Sequence, residues 1–266
     1  MKLVLVIIFS LFSFKSYSAE LTGQTYLDGL GLGFKYLYQG SYLQFTAKNN
    51  AYGAAVAAPA LWYSFEEDKR ITNHAMTKKV HGYMNFASDI TPFLSMPFLT
   101  GAFYTYGIKK DNQRAVQFAT ETFATLYLSL IESSVLSLAD IHERPNSDRL
   151  SKWETQFRAK SSFPSGHVIP YITLALKTYQ FYGPYYAIVP ATFFVATAMQ
   201  RVRDGKHYFS DIVGAVFVTA FASEGVRKAG GYAENHPTFK AIFEHDVQIG
   251  YSVYRGAAGP RITFSW

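Results

Sequence analysis

The chain has 266 residues, of which 49% are hydrophobic and 17% aromatic, and its formal net charge is +6. This length suits one compact domain with a sizeable core. The sequence contains no cysteine, which excludes disulfides, thiolate metal sites and cysteine nucleophiles. No basic run is long enough to indicate a nucleic-acid partner.

The first residues have the pattern of a secretory signal peptide. Lys2 precedes an apolar run that extends from Leu3 to Phe12, and the polar stretch after it offers a cleavage site at 16–18. The run is too short for an ordinary membrane span, although an uncleaved anchor is the alternative. We therefore predict a signal peptide over residues 1–18 and export of the mature chain.

The next stretch with a distinct pattern is the glycine run from Gly29 to Gly33. Its spacing does not fit the dinucleotide-binding fingerprint, and no strand–helix alternation follows. We interpret it as a turn or mobile segment.

From residue 51 onward, apolar stretches of helical length alternate with short polar turns such as 109–112. They predict an all-α fold, a bundle of about six principal helices within a domain at 19–240. The expected helices cover about 51–65, 84–106, 114–138, 167–182, 185–200 and 208–227. Several are short or carry charges such as Glu121, Glu132 and Asp211, which favours a soluble or membrane-peripheral bundle over a spanning one.

The tail, residues 241–266, has a different pattern. On both sides of a glycine-containing stretch, polar residues alternate with residues that favour β-strands. This pattern predicts a small hairpin. One hairpin cannot close a membrane barrel. We therefore expect an appendage to the helical domain.

Near the sixth helix, His207 and Asp211 are four residues apart, so a helix places them on one face. The carboxylate can hold one imidazole nitrogen, which fixes the tautomer and raises the basicity of the other nitrogen. Such an imidazole can attack phosphorus. A structural His–Asp capping pair or a pair of metal ligands is the alternative.

The fourth helix opens with the sequence Pro164-Ser165-Gly166-His167. Gly166 permits close backbone approach, Ser165 offers a hydroxyl, and the helix start favours an anion. His167 could donate a proton to a leaving oxygen. An ordinary proline-started helix with a serine cap is the alternative interpretation.

Arg144 and Arg201 each adjoin one of these segments at a helix end. A guanidinium group binds phosphate oxygens in a planar, bidentate manner. We identify both as candidate phosphate ligands, although a lone arginine is more often part of a surface ion pair.

Together these segments resemble the three motifs of the type 2 phosphatidic acid phosphatase superfamily, Lys-x6-Arg-Pro, Pro-Ser-Gly-His and Ser-Arg-x5-His-x3-Asp. The second matches in full, the third matches apart from Gln200, and the first matches at Arg144 and Pro145. The resemblance covers roughly residues 85–227. One departure is Ser137, which stands where the family has lysine, and His142 stands where relatives often carry arginine.

The resemblance implies a phosphatase that needs no metal and no cofactor. His207 is its nucleophile, Asp211 orients His207, and His167 is the general acid and base. The expected phosphate-binding groups are Arg144, Arg201, Ser165 and the Gly166 N–H. The missing lysine removes one cation from this set, and Lys206, Arg203 and Lys160 are candidates to replace it.

The resemblance leaves several substrates and functions open. We expect a phosphorylated lipid of a bacterial periplasm or cell envelope, with a membrane surface as a possible partner. A soluble, nonspecific periplasmic acid phosphatase acting on small phosphoesters is the first alternative. A vanadium haloperoxidase or a non-catalytic phosphate-binding envelope protein is less well supported.

Overall fold

The computed structural model describes residues 25–139, 141, 143–146 and 161–231, together with the backbone of 246–254 and 257–265. Eight α-helices form in this part of the chain. They are α1 (Tyr26–Leu43), α2 (Lys48–Met76), α3 (Gly82–Leu94), α4 (Phe98–Lys109), α5 (Gln113–Leu136), α6 (Ile169–Tyr182), α7 (Pro184–Arg203) and α8 (Phe209–Gly230).

Helices α5, α6 and α8 form the centre of the bundle. Helix α8 packs against α1, α2, α5 and α6, while α4 covers α5 and α7 covers α6. The main apolar cluster joins these elements at one end, where Leu126 of α5, Ile172 of α6 and Ile212 of α8 are buried together. The phosphate-binding motifs predicted from the sequence lie at this end because α5 ends there and α6 and α8 begin there.

The all-α prediction is confirmed, and the described residues form eight helices where about six principal ones were expected. The stretch predicted at 84–106 forms two helices. Ser95 is the C-cap of α3, and Pro97 is the N-cap of α4. The helix expected at 51–65 continues to Met76 through a charged segment. The four helices predicted after residue 113 are found within a few residues of their expected positions.

The glycine run at 29–33 is also a correction, because it lies inside α1 rather than in a turn. Thr25 and Asp28 form a capping box that begins the helix, so the helix starts before the glycines. A Cβ atom on Gly29 would lie within 2.5 Å of three side-chain atoms of Tyr104, and one on Gly33 would lie 2.8 Å from Phe123. The glycines therefore serve close packing between α1 and its neighbours.

The tail contains a two-stranded antiparallel sheet, as predicted. Strand β1 (Asp246–Tyr254) pairs with β2 (Ala257–Ser265), with Asp246 opposite Ser265 and Tyr254 opposite Ala257. The predicted signal peptide lies outside the described residues, as do residues 255 and 256 between the two strands.

In the described part of the chain, one helix is long and apolar enough to span a membrane. Helix α8 has the required length and apolar composition, but 56% of its apolar window is buried inside the protein. A core helix of a soluble protein meets the same criteria. This is weak evidence for membrane association.

A buried ion pair joins the central helices at the end remote from the motifs. Lys177 of α6 donates to Glu121 of α5 at 2.8 Å, and both side chains have 0% exposure. The ammonium group also donates to Gln180 and to the backbone carbonyl of Ser223 in α8. Gln117 donates to the second Glu121 oxygen at 3.0 Å. The network therefore connects all three central helices.

Replacing Lys177 by Met is expected to destabilise the protein by about 3–5 kcal/mol, because the Glu121 carboxylate would be left buried without its cation. Chemical unfolding measures the loss, with exposed Lys69→Met as the matched control. Adding Glu121→Leu should restore much of the stability. Equal stability of Lys177→Met and Lys69→Met would contradict the expected cost.

Candidate active site

His207 lies in the short loop that connects α7 to α8. The backbone N–H groups of Lys206 and His207 both donate to the carbonyl of Arg201, at 3.0 and 3.3 Å. Gly205 adopts a positive φ of 67°, which permits the tight reversal after α7. The loop is thus fixed by backbone bonds, and it holds the buried His207 side chain at the start of α8.

The His–Asp pair predicted from the sequence forms in the structure. His207 Nδ1 lies 3.0 Å from Asp211 Oδ2, and both side chains are buried. Asp211 is also the third residue of α8, and its carboxylate accepts the Tyr208 N–H at 2.9 Å. One carboxylate therefore caps the helix and orients the imidazole at the same time.

Burial raises the pKa of the Asp211 carboxyl to about 7. Hydrogen bonds from the Tyr208 N–H and the Ser162 hydroxyl lower this pKa in part, as does the positive charge of Arg144, whereas the charge of Asp68 raises it. The Ser162 hydroxyl lies 3.3 Å from Asp211 Oδ1. The ionised form that orients His207 is therefore gained as the pH rises through about 7.

The segment from Pro164 to His167 precedes α6 and is tied to both other central helices. The Ser165 N–H donates to the Asp211 carbonyl at 3.0 Å, and the Ser133 hydroxyl of α5 donates to the Pro164 carbonyl at 3.3 Å. Gly166 and His167 are partly exposed at the turn that begins α6. This arrangement places the second motif directly beside the third.

The hydroxyl group of Ser165 is fully buried, and no described residue provides it with a hydrogen-bond partner. An unsatisfied buried hydroxyl costs free energy unless a ligand or water completes it. Its position just before the N-terminal end of α6 suits an anionic oxygen as that ligand.

The two predicted arginines are buried. Arg144 Nη1 donates to the Lys206 carbonyl at 3.2 Å, and the Asn146 N–H donates to the Gly205 carbonyl at 2.9 Å. The first motif is therefore attached to the loop that carries His207. Arg201 occupies the last turn of α7, where its carbonyl anchors the same loop.

Ser137, at the position of the family lysine, is buried at the C-terminal end of α5. Its hydroxyl donates to the Ser134 carbonyl at 2.7 Å, so it caps its own helix. Two of the proposed replacement cations make other contacts: Lys206 lies 3.5 Å from Asp204, and Arg203 donates to the Lys79 carbonyl at 2.8 Å. Lys160 and His142 lie outside the described residues.

Asp68 of α2 is a site residue that the sequence interpretation missed. Its buried carboxylate accepts the Ser210 N–H at 2.7 Å and also the Ser210 hydroxyl, between His207 and Asp211 in the chain. The charged run at 66–70 is typical of a solvated helix face. The sequence feature that could have indicated a buried Asp68 is the four-residue spacing of Ser64, Asp68 and Thr72. All three are buried on one face of α2.

Replacing Asp68 by Asn is expected to shift the acid limb of the pH–rate profile to lower pH. The negative charge of Asp68 raises the pKa of Asp211, so its removal lowers that pKa and preserves the carboxylate at lower pH. His207, Tyr208 and Arg144 face the same carboxylate and are unchanged in the variant.

The measurement is kcat/KM for p-nitrophenyl phosphate from about pH 4 to 9. Glu66→Gln, an exposed change on the same helix, is the matched control. A general loss of rate with no shift of the acid limb would assign Asp68 a purely structural role.

Comparison with protein families identifies the class to which this fold and site belong. The family model described as the PAP2 superfamily matches residues 117–230, which contain the second and third motifs. The match covers less than half of the chain and supports membership of the PAP2 superfamily. The match indicates an enzyme of the phosphatase type. No curated protein and no solved structure matches the chain.

Proposed function

We propose that the protein hydrolyses phosphate monoesters or pyrophosphates through a phosphohistidine at His207, without a metal ion. The observation that carries the proposal is the buried contact of 3.0 Å between His207 Nδ1 and Asp211. With Nδ1 held by the carboxylate, Nε2 is the nitrogen that attacks phosphorus. Asp211 also stabilises the positive charge that the imidazole gains.

In the first step, a bond forms between His207 Nε2 and phosphorus while the bond from phosphorus to the leaving oxygen breaks. His167 transfers a proton to that oxygen. In the second step, His167 takes a proton from water, the resulting oxygen attacks phosphorus, and the P–N bond breaks. Inorganic phosphate leaves and His207 is regenerated.

The charge on the phosphoryl oxygens is stabilised by Arg144, Arg201, the Ser165 hydroxyl and the Gly166 N–H in this proposal. The buried positions of both guanidinium groups beside the His207 loop support it, because a charge-assisted hydrogen bond to phosphate is strong in a site with little water. The unsatisfied Ser165 hydroxyl supports it as well.

For the substrate we propose a phosphorylated lipid of the cell envelope, to which export would bring the mature chain. Support comes from the surface beside the site. The Gln200 side chain near the end of α7 contacts Asn85 of α3, and both helices expose large apolar side chains along their length. A lipid could keep its acyl chains against such a surface while its phosphate reaches the site.

The test is phosphate release by the purified mature protein in detergent containing EDTA. Undecaprenyl pyrophosphate and phosphatidic acid are compared with p-nitrophenyl phosphate. Faster release from a lipid supports the full proposal, whereas release mainly from the soluble ester identifies a nonspecific acid phosphatase. Loss of all activity in EDTA, restored by a divalent metal, would refute the metal-independent mechanism.

A further inference from the structure

Three helices expose large apolar side chains on one connected surface, which we call the α3–α4–α7 face. It includes Phe86, Phe93, Phe98, Tyr106, Tyr185, Ile188 and Val189. Phe93 is 60% exposed, Tyr185 84% and Ile188 59%. Isolated exposed apolar residues need no explanation, but a connected set of this size marks an interaction surface.

The three helices are continuous with one another through packing and ring contacts. Helix α3 packs directly against α7. Phe93 of α3 stacks on Phe98 of α4 with ring centroids 5.5 Å apart, and both rings are exposed. The face is therefore one surface rather than three separate patches.

Charged side chains are rare on these helices. Asp89 is the one acidic or basic residue between Gly82 and Ile108, and there is none between Pro184 and Gln200. Exposed lysines flank the α3–α4 pair, with Lys78 and Lys79 before α3 and Lys109 and Lys110 at the end of α4. Apolar surface bordered by cations and tyrosines complements an anionic lipid surface, whose hydrocarbon lies beside negative headgroups.

We propose that the α3–α4–α7 face inserts into the lipid layer of a membrane, with Lys78 and Lys79 at the headgroups. A folded protein partner fits less well, because α1 and the first half of α2 also expose large apolar side chains, so the apolar surface is not confined to one interface. A fluid hydrocarbon layer covers a surface of any shape.

The same contacts define how the active site is oriented toward this membrane. Arg203, two residues after Arg201, donates to the Lys79 carbonyl at 2.8 Å, so the headgroup edge of the face adjoins the phosphate site. The phosphate of a membrane lipid would then meet the site without leaving the headgroup layer. This orientation rests on the proposed phosphatase function, whereas insertion of the face does not.

The test is flotation of the purified full chain with vesicles after detergent removal. Vesicles of phosphatidylcholine are compared with vesicles that also contain phosphatidylglycerol. The wild-type protein should float with both and bind more tightly to the anionic vesicles at low salt. The variant Tyr185→Glu/Ile188→Glu should lose at least roughly tenfold in bound fraction. Its kcat with p-nitrophenyl phosphate in detergent should equal that of the wild type.

The control is Ser134→Glu/Ala139→Glu, which adds the same two charges at exposed positions at the end of α5, outside the α3–α4–α7 face and its lysines. It should float like the wild type. Equal flotation of the Tyr185/Ile188 variant, or no flotation of the wild type, would overturn the proposal. A wild-type dimer that the Tyr185/Ile188 variant converts to a monomer would instead assign the face to a second copy of the chain. Activity on the soluble ester tests the phosphatase function separately from either result.

Discussion

Replacing His207 by Ala should lower phosphate release by roughly 10⁴-fold or more, because the P–N bond can no longer form. The Asp211 carboxylate, 3.0 Å from the ring in the native site, would then have no imidazole to orient. With a phosphate-labelled ester, rapid acid-free quenching should trap labelled protein in the wild type and none in the variant. The label should resist alkali and be lost in acid, as a phosphoramidate is.

His74→Ala is the matched control, since His74 is exposed at the end of α2. It should retain wild-type turnover and labelling. A folded His207→Ala protein with wild-type turnover would remove His207 from the mechanism. Labelled protein that persists in this variant would place the phosphoryl group on another residue.

Replacing His167 by Ala should produce a defect that depends on the leaving group. An alkyl phosphate needs a proton on its leaving oxygen, so its turnover should fall by about 10²–10⁴-fold. A p-nitrophenyl ester has a good leaving group and needs little protonation. Its first step should remain fast while the second step, which uses His167 as the base, becomes slow. The expected signature is a burst of one nitrophenol per protein, with accumulated phosphohistidine.

The control for this variant is His81→Ala, a change at another exposed histidine, which stacks on Tyr83. It should give steady turnover without a burst. Equal losses for the alkyl and nitrophenyl esters in His167→Ala, without a burst, would show that His167 does not transfer the proton.

The candidate residues of the three motifs could be named from the sequence because each belongs to a short local pattern. The His207–Asp211 pair depends only on a four-residue spacing at a helix start, and this contact forms as expected. The assembly of the motifs depends on hydrogen bonds to backbone carbonyls that no local pattern shows. The Arg144 bond to the Lys206 carbonyl and the Ser165 bond to the Asp211 carbonyl are examples.

The errors came from side chains whose environment is set by distant parts of the chain. Asp68 lies 142 residues before its partner Ser210, so the charged run around Asp68 did not indicate which residue it contacts. Gly29 and Gly33 of α1 lie in a helix that packs closely on Tyr104 and Phe123, where a larger side chain would not fit. Tertiary packing overrode local propensity in both cases.

The Lys177–Glu121 pair has a consequence for the geometry of the site at the other end of the same helices. Sliding one helix by one residue shifts it by about 1.5 Å along its axis and turns each side chain by about 100°. Apolar contacts tolerate such a slip, but a buried ion pair that reaches three helices does not. The pair therefore fixes the axial register of α5, α6 and α8. Ser133, His167 and Asp211 each sit on or beside one of these helices, so a double apolar replacement that keeps the protein stable should still broaden the positions of the three side chains.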